Sequence, residues 1–497
     1  MYLFNTLTKK KEHFVPLEDD LVRVYVCGVT VYDDGHLGHA RSAVVFDVLR
    51  RYLIFKGFRV TYVKNYTDID DKIINRALKE NRPWTEIVTQ YIEAYARDMH
   101  RLKVSKPDVE PRATEHMPEI IDMIAQLVEK GFAYQINGDV YYEVGAYKGY
   151  GRLSGRKEEE LLAGARVEVD ERKKNPMDFA LWKASKPGEP GWESPWGSGR
   201  PGWHIECSAM SIRHLGRTFD IHGGGRDLVF PHHENEVAQS CAYTGQEFAR
   251  YWVHNGFVTI DDEKMSKSLG NFFTIKEIFE KSNWKDSVTG ETLRYFLLST
   301  HYRSDLNFSD KALSEAKSAV DNLYDLFRRL EESDSTFKGD NDQALERPLK
   351  EFEKQFEGAM DDDLNTPRAI AEFQRLRGEI NKLLSAGLSN QAKKKAMGSF
   401  LKFGAPLGLW QVATKDWEFS PFTVKLSVAD SGTVELEESI VIEKGEPSDE
   451  WVEQQIQRRR EARERKDFAE ADKIRKEVES KGVKLEDRPD GTTRWKR

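Results

Sequence analysis

The chain has 497 residues, a formal charge of −8, 39 % apolar and 32 % charged side chains, and three cysteines. Domains run to roughly 100 to 200 residues, so three or four units are expected; 11 Trp and 26 Phe exclude a disordered chain. Net negative charge excludes wholesale coating of nucleic acid, and no run of about 18 apolar residues exists to span a membrane. MYLFNTLTKKKEHF holds no signal-peptide core, so a cytoplasmic protein is expected. An odd number of widely spaced cysteines points to metal binding or catalysis rather than to a disulfide scaffold.

Val22, Val24 and Val26 alternate with Arg23 and Tyr25 as a strand, a loop follows from Cys27 to Gly35, and AVVFDVLRRYLIFKG is an amphipathic helix ending at Gly57. With a second strand from Arg59 to Val63 this is a βαβ unit, whose ligand-binding loops lie at the carboxyl ends of parallel strands. The expected architecture is α/β: a Rossmann-like parallel-sheet catalytic domain with an inserted subdomain, then an α-helical bundle and a small mixed α+β C-terminal domain. Its expected parts are 1–113, the first half of the nucleotide-binding fold; 114–200, an inserted connective subdomain containing a helix near His116 to Lys130; and 201–309, the second half. Residues 310–407, rich in Leu, Ala, Glu and Lys at helical spacing, form the bundle, and 408–497 a C-terminal domain. Within that tail FTVKLSVADSGTVELEESIVI reads as strand, and Trp451 to Gly482 as a helical hairpin with Asp467 and Glu470 at capping-box spacing. From Glu453 to Arg497 there are 15 basic and 11 acidic side chains, a local excess of positive charge that suits an RNA contact.

His36, Leu37, Gly38 and His39 stand at the start of the first crossover helix, where free backbone N–H groups favour an anion. Two imidazoles there can donate hydrogen bonds to charge developing on a phosphate, and Gly38 lets a flat ring approach; the other readings are a metal pair or a solvated helix start. Lys264, Met265, Ser266, Lys267 and Ser268 place two lysines in a polar loop that can close on a polyphosphate, although most such pairs are simply solvated. His232 and Glu236, four apart, would share a helical face; Cys27 and Cys207 could complete four metal ligands, or the His232 to Glu236 run could be only a polar helix start. Cys207 is expected just after a strand start. Cys241 reads as a small apolar residue.

CGVTVYDDGHLGHARS, NYTDIDDKI, GWHIECSAMS, DIHGGGRDLVFPHHENEVAQS, KMSKSLGN and KDFAEADKIRKE together resemble the cysteinyl-tRNA synthetase family, of class I, along nearly the whole chain. The resemblance implies ATP-dependent activation of L-cysteine and its transfer to tRNA(Cys). His36, His39, Lys264 and Lys267 would be catalytic, and His36, Gly38, His39, Gly224, Asp227 and Lys267 would bind ATP, which arrives with Mg2+. Gly28, Thr67, Trp203 and His222 would line the cysteine pocket. One Zn2+ per chain, on Cys27, Cys207, His232 and Glu236, would select the thiol over a serine hydroxyl, which a merely apolar pocket distinguishes weakly. A monomer is expected, with Trp410, Trp451 and Trp495 as stacking candidates for RNA or as packing residues. A ligase that passes cysteine to an amino sugar would not need the tail beyond residue 410, and a non-catalytic RNA-binding relative would not need His36, His39, Lys264 and Lys267.

Overall fold

The computed structural model describes all residues except 156–171, 261–262, 265–272, 333–341, 421–448, 466, 481, 488–492 and 497. The segment expected to be strand, residues 422–442, lies outside them.

A short antiparallel pair, β1 (Tyr2–Asn5) and β2 (Lys10–His13), precedes β3 (Leu21–Thr30), α1 (Leu37–Phe55) and β4 (Arg59–Thr67). Val22, Val24 and Val26 of β3 pack against α1, and Tyr25 and Cys27 face the opposite layer, as the two-residue period of a strand requires. α2 (Asp71–Glu80) starts where Asp70 accepts the Lys72 N–H at 2.8 Å, and α3 (Trp84–Arg101) follows after Pro83. α4 (Met117–Glu129) opens the insertion, whose sheet β5 (Ala133–Ile136), β6 (Asp139–Tyr142), β7 (Phe179–Ala184) and β8 (Gly199–Pro201) is antiparallel throughout. The chain then re-enters the main fold through the helix Trp203–Leu215, β9 (Phe219–Gly225), the helix Glu234–Thr244 and β10 (Ala249–Asn255).

The main sheet has the order β10-β9-β3-β4 and is parallel in every pairing, so strands from the two halves of the chain lie side by side, with Val24 opposite Ile221. Beyond it, β11 (Val258–Ile260) pairs with β12 (Glu263–Lys264) and with β13 (Leu306–Phe308). The helices 310–331, 342–361, 366–386 and 390–404 form the bundle. Ser309, Asn365 and Ser389 cap three of them, each accepting the N–H three residues on. Phe352, Phe356, Phe373, Phe400 and Phe403 fill its centre. At roughly 1.5–3 kcal/mol per buried large apolar side chain, this burial rather than helix propensity holds the bundle together.

Residues 408–420, which the sequence reading assigns to the tail, pack on the bundle and the main fold. The N–H groups of Trp410 and Gln411 donate to Glu291, and Trp417 stacks on Tyr324 at 3.8 Å between centroids. Trp410 is thus a packing residue, only 3 % exposed. A separate small core of Val452, Ile456, Ile474, Val478, Val483 and Leu485 unites the helices 449–464 and 468–480 with the hairpin β14 (Lys484–Asp487) and β15 (Thr493–Lys496). Asp467 accepts the Glu470 N–H at 3.1 Å, and Arg494 ties the unit to the bundle through Asp325 and Glu332.

Candidate active site and metal centre

The expected ligand residues Cys27, Cys207, His232 and Glu236 meet in one buried cluster. Cys27 Sγ lies 3.7 Å from Cys207 Sγ, 3.4 Å from His232 Nε2 and 3.4 Å from Glu236 Oε1, while His232 Nε2 is 3.1 Å from Glu236 Oε1. A tetrahedral zinc ion with metal–sulfur distances near 2.3 Å and metal–N/O distances near 2.0 Å sets its donors about 3.3–3.8 Å apart, so the donor set fits such an ion. Burial pushes the Cys27 thiol and the Glu236 carboxyl up and the His232 imidazole down, so each is held neutral. A cation among them would reverse that preference for the thiol and the carboxyl, because it favours their anions.

The local folding differs from the sequence expectation in two respects. Cys207 sits within the helix Trp203–Leu215 rather than after a strand start, so the sheet supplies Cys27 and the helix layer beneath it supplies Cys207. His232 lies just ahead of the helix that carries Glu236, in a turn where Phe230 has φ −140° and ψ 130°. The four-residue spacing still brings the two side chains together. A competing donor set, Cys27, His222, His233 and Glu236, shares two members. It offers one thiol instead of two, and His233 Nε2 stands 3.9 Å from Glu236, so the two-thiol set is the better match to a soft ion.

Partners behind the donors fix their orientation. His232 Nδ1 meets His204 Nδ1 at 2.9 Å, leaving Nε2 toward the cluster, and His222 Nε2 holds Glu236 Oε2 at 2.9 Å. His222, assigned by resemblance to the cysteine pocket, is therefore hydrogen-bonded to a candidate ligand, and it stacks on Trp252 at 4.5 Å. His233 and His254 continue the buried polar layer, joined Nδ1 to Nε2 at 2.8 Å. Trp203 stacks on His232 at 4.1 Å and is 38 % exposed, forming the wet wall of the cluster. Thr67 ends β4 and is buried.

Asn65, which sequence reasoning did not single out, links these parts. Its Oδ1 accepts the Gly28 N–H at 2.8 Å and lies 3.7 Å from Cys207 Sγ. A Cβ on Gly28 would fall 1.5 Å from the Asn65 carbonyl oxygen, so only glycine lets β3 and β4 approach this closely beside Cys27. The sequence signal was there: Asn65 is a polar residue near the end of a strand, between Lys64 and Tyr66.

The second group of residues gathers at the start of α1. His36 is the N-cap and accepts the Gly38 N–H at 3.1 Å, while His39 Nδ1 accepts the His36 N–H at 3.3 Å; the two rings stack at 3.7 Å. The helix N-terminus is thus already satisfied in part by its own imidazoles, which an incoming phosphate would displace or engage. Burial lowers the pKa of His36 to about 4 and lowers that of His39 as well, so both rings are neutral donors at pH 7. Gly224 and Asp227 follow at the carboxyl end of β9. Gly224 is packed so that a Cβ would lie 2.9 Å from the His233 ring, whereas Asp227 is exposed. Lys264 is placed by its backbone, as the partner of Thr259, and Lys267 lies outside the described residues. Cys241 is half-buried beside Tyr147, away from the cluster.

No helix among the described residues is long and apolar enough to cross a membrane. Residues 13–318 match the family model of the class I (C) tRNA synthetase catalytic domain, and residues 355–411 match the DALR domain. The chain is 48 % identical to the cysteine–tRNA ligase of Syntrophobacter fumaroxidans over 512 residues, spanning 100 % of this chain and 99 % of the relative. It is 49 % identical to the cysteine–tRNA ligase of Geobacter sulfurreducens over 498 residues, spanning 99 % of each. Among solved structures, Mycobacterium tuberculosis methionyl-tRNA synthetase in complex with methionyl-adenylate shares the fold, with a TM-score of 0.57 at 17 % identity over 78 % of this chain and 88 % of that one. By motif, fold and full-length relationship, this chain belongs to the cysteinyl-tRNA synthetase family of class I.

Proposed function

We propose that the protein activates L-cysteine with ATP to cysteinyl-adenylate and pyrophosphate, then passes the cysteinyl group to a terminal hydroxyl of tRNA(Cys). The observation that carries this reading is the pair of buried thiols with His232 and Glu236 at tetrahedral donor separations, in a fold whose first crossover helix opens with His36 and His39. Cys27, Cys207, His232 and Glu236 would hold one Zn2+. When bound, zinc supplies a soft Lewis acid that prefers a cysteine thiolate to a serine hydroxyl.

The remaining work falls to the chain itself. Trp203 walls the amino-acid pocket, Gly28 keeps its floor thin, and Thr67 and His222 complete it, His222 by fixing Glu236. His36 and His39 donate hydrogen bonds to charge developing on the α-phosphate as the cysteine carboxylate attacks. Both are neutral, so they act as dipolar donors with no proton to lose near pH 7. Gly38 and Gly224 let the nucleotide approach the backbone, Asp227 accepts from its sugar, and Lys264 and Lys267 offset the negative charge of the departing pyrophosphate, with Mg2+ accompanying ATP. The bundle and the basic C-terminal unit receive the tRNA. The protein acts as a cytoplasmic monomer.

Charging of unfractionated tRNA with cysteine and with serine tests the reading. Cysteine should be attached to a small tRNA fraction and serine at a rate lower by about a thousandfold or more, given what a site built around one functional group achieves. Comparable attachment of serine, or ATP consumption with transfer to no tRNA, would overturn it.

A further inference from the structure

The segment that carries Lys264 and Lys267 runs between Ile260 and Phe273, with β12 (Glu263–Lys264) its described part, and the residues flanking it on both sides are fastened to the beginning of α1. On the return side, the Leu37 N–H donates to Phe273 O at 3.3 Å, the Ile275 N–H donates to Gly35 O at 2.8 Å, and His36 bridges Thr274. On the outgoing side one side chain makes the connection. Arg41, two residues beyond His39 and fully buried, donates through Nη1 to Phe257 O at 2.6 Å and through Nη2 to Ser304 O at 2.5 Å and His301 O at 3.2 Å.

The chemistry of that contact is unusual for a stabilising element. Among the described residues the guanidinium's hydrogen bonds go to carbonyl oxygens and its Nε finds no partner, and burial lowers its pKa to about 10. The nearby carboxylate, Asp305, is committed elsewhere, to Arg226 through both oxygens and to the Phe257 N–H at 2.8 Å. A buried cation that Asp305 attracts only through space, its oxygens being paired with Arg226, is a poor source of net stability, because desolvation offsets most of what its hydrogen bonds contribute. Its geometric effect is large. A rigid fork spans the Gly256–Phe257 turn and the 301–304 loop, so two chain segments are held at one distance from α1.

The turn so held has little room to move otherwise. The Gly256 N–H donates to Tyr302 O at 2.8 Å, and a Cβ on Gly256 would fall 2.4 Å from Ser304 O. β11 starts at the next residue and pairs with β12, whose last residue is Lys264. The same loop is anchored to the bundle, since Tyr302 Oη and Arg303 Nε each donate to Asp363 at 2.7 Å.

We propose that Arg41 is a positioning residue for cysteine activation: by holding the Gly256–Phe257 turn against α1, it fixes where the β11–β12 strand pair, which ends at Lys264, stands relative to His36 and His39. This rests on the activation chemistry proposed above. Arg41 touches no reacting atom, and it sits apart from the residues that would hold the metal.

Steady-state cysteine-dependent ATP/pyrophosphate exchange, measured on the full-length protein, tests the idea. Absence of exchange in the unaltered protein would defeat the functional reading and leave Arg41 aside. Given exchange, Arg41→Lys keeps the charge and loses the fork. It should lower kcat by about tenfold or more while KM for cysteine stays within about twofold and bound metal is unchanged, as expected for a group that acts only on the transition-state arrangement. Asp305→Ala releases the same turn from its exposed side and should lower kcat by about threefold with the same selectivity. Wild-type kcat in Arg41→Lys overturns the proposal, as does a loss shared by metal content and cysteine KM, which marks a general structural role. If Arg41→Lys does not fold, unchanged kcat in Asp305→Ala overturns it.

Discussion

The proposed metal cluster and the proposed phosphate site at the start of α1 are built in opposite ways. Four residues from three distant parts of the chain make the cluster, with 180 positions separating its two thiols; every donor is buried, and His232 and Glu236 each have a histidine behind them. Four consecutive residues make the helix start, and its two imidazoles cap each other. A site assembled by tertiary structure depends on the whole fold and is lost when one donor goes. A site assembled locally keeps its shape, and removing one member subtracts one interaction.

The largest effect should therefore come from the cluster. Cys207→Ala should lose bound metal and reduce cysteine-dependent exchange by about a hundredfold or more, since the remaining three donors no longer close a four-coordinate site. Metal analysis of the purified variant beside exchange kinetics checks this, and full metal retention in both Cys207→Ala and His232→Ala would break the assignment. At the helix start, His39→Ala should lower exchange by roughly tenfold to a hundredfold, the scale of one oriented donor, with metal content intact. Metal loss in that variant would erase the distinction between the two regions.

The smallest effect is in pH dependence. His36 has its pKa lowered to about 4 by burial, against about 6.5 when unfolded. As pH falls below 6.5 the unfolded chain takes up a proton that the folded one refuses, so stability contributed by the neutral ring is present above that value and is lost progressively toward pH 4. Thermal melts from pH 7 to 4.5 should show a shallower decline for His36→Asn than for the unaltered protein. An identical slope in the two proteins would mean that the ring is more solvated than its cap position implies.

The same contrast explains what the sequence disclosed. The His36–His39 and Lys264–Ser268 motifs are contiguous, so their chemistry could be named before any fold was known. The four-residue spacing of His232 and Glu236 was equally visible, because a turn of helix brings such residues together. Cys207 was harder: its ligand identity came through resemblance, and its placement after a strand was mistaken, since GWHIECSAMS has apolar residues at both periods. Asn65 and Arg41 went unnoticed because their roles exist only across strands and loops remote in sequence. The packing of residues 408–420 onto the bundle was hidden for a related reason. Trp410 and Trp417 lie in a stretch without helical or strand periodicity, and only their contacts with Glu291 and Tyr324 show where they belong.

The neighbouring placement of β3 and β9 also bears on how the protein is made. During synthesis the first half of the sheet emerges with Cys27 as a lone thiol, and the insertion must follow before Cys207, His232 and Glu236 exist at all. A nascent chain halted anywhere before residue 236 holds an incomplete donor set, so the proposed site closes only when the second half of the catalytic fold joins the first. At the proposed site, ion choice would fall to a pocket formed by both halves of the fold, instead of to whichever cation first meets a free cysteine.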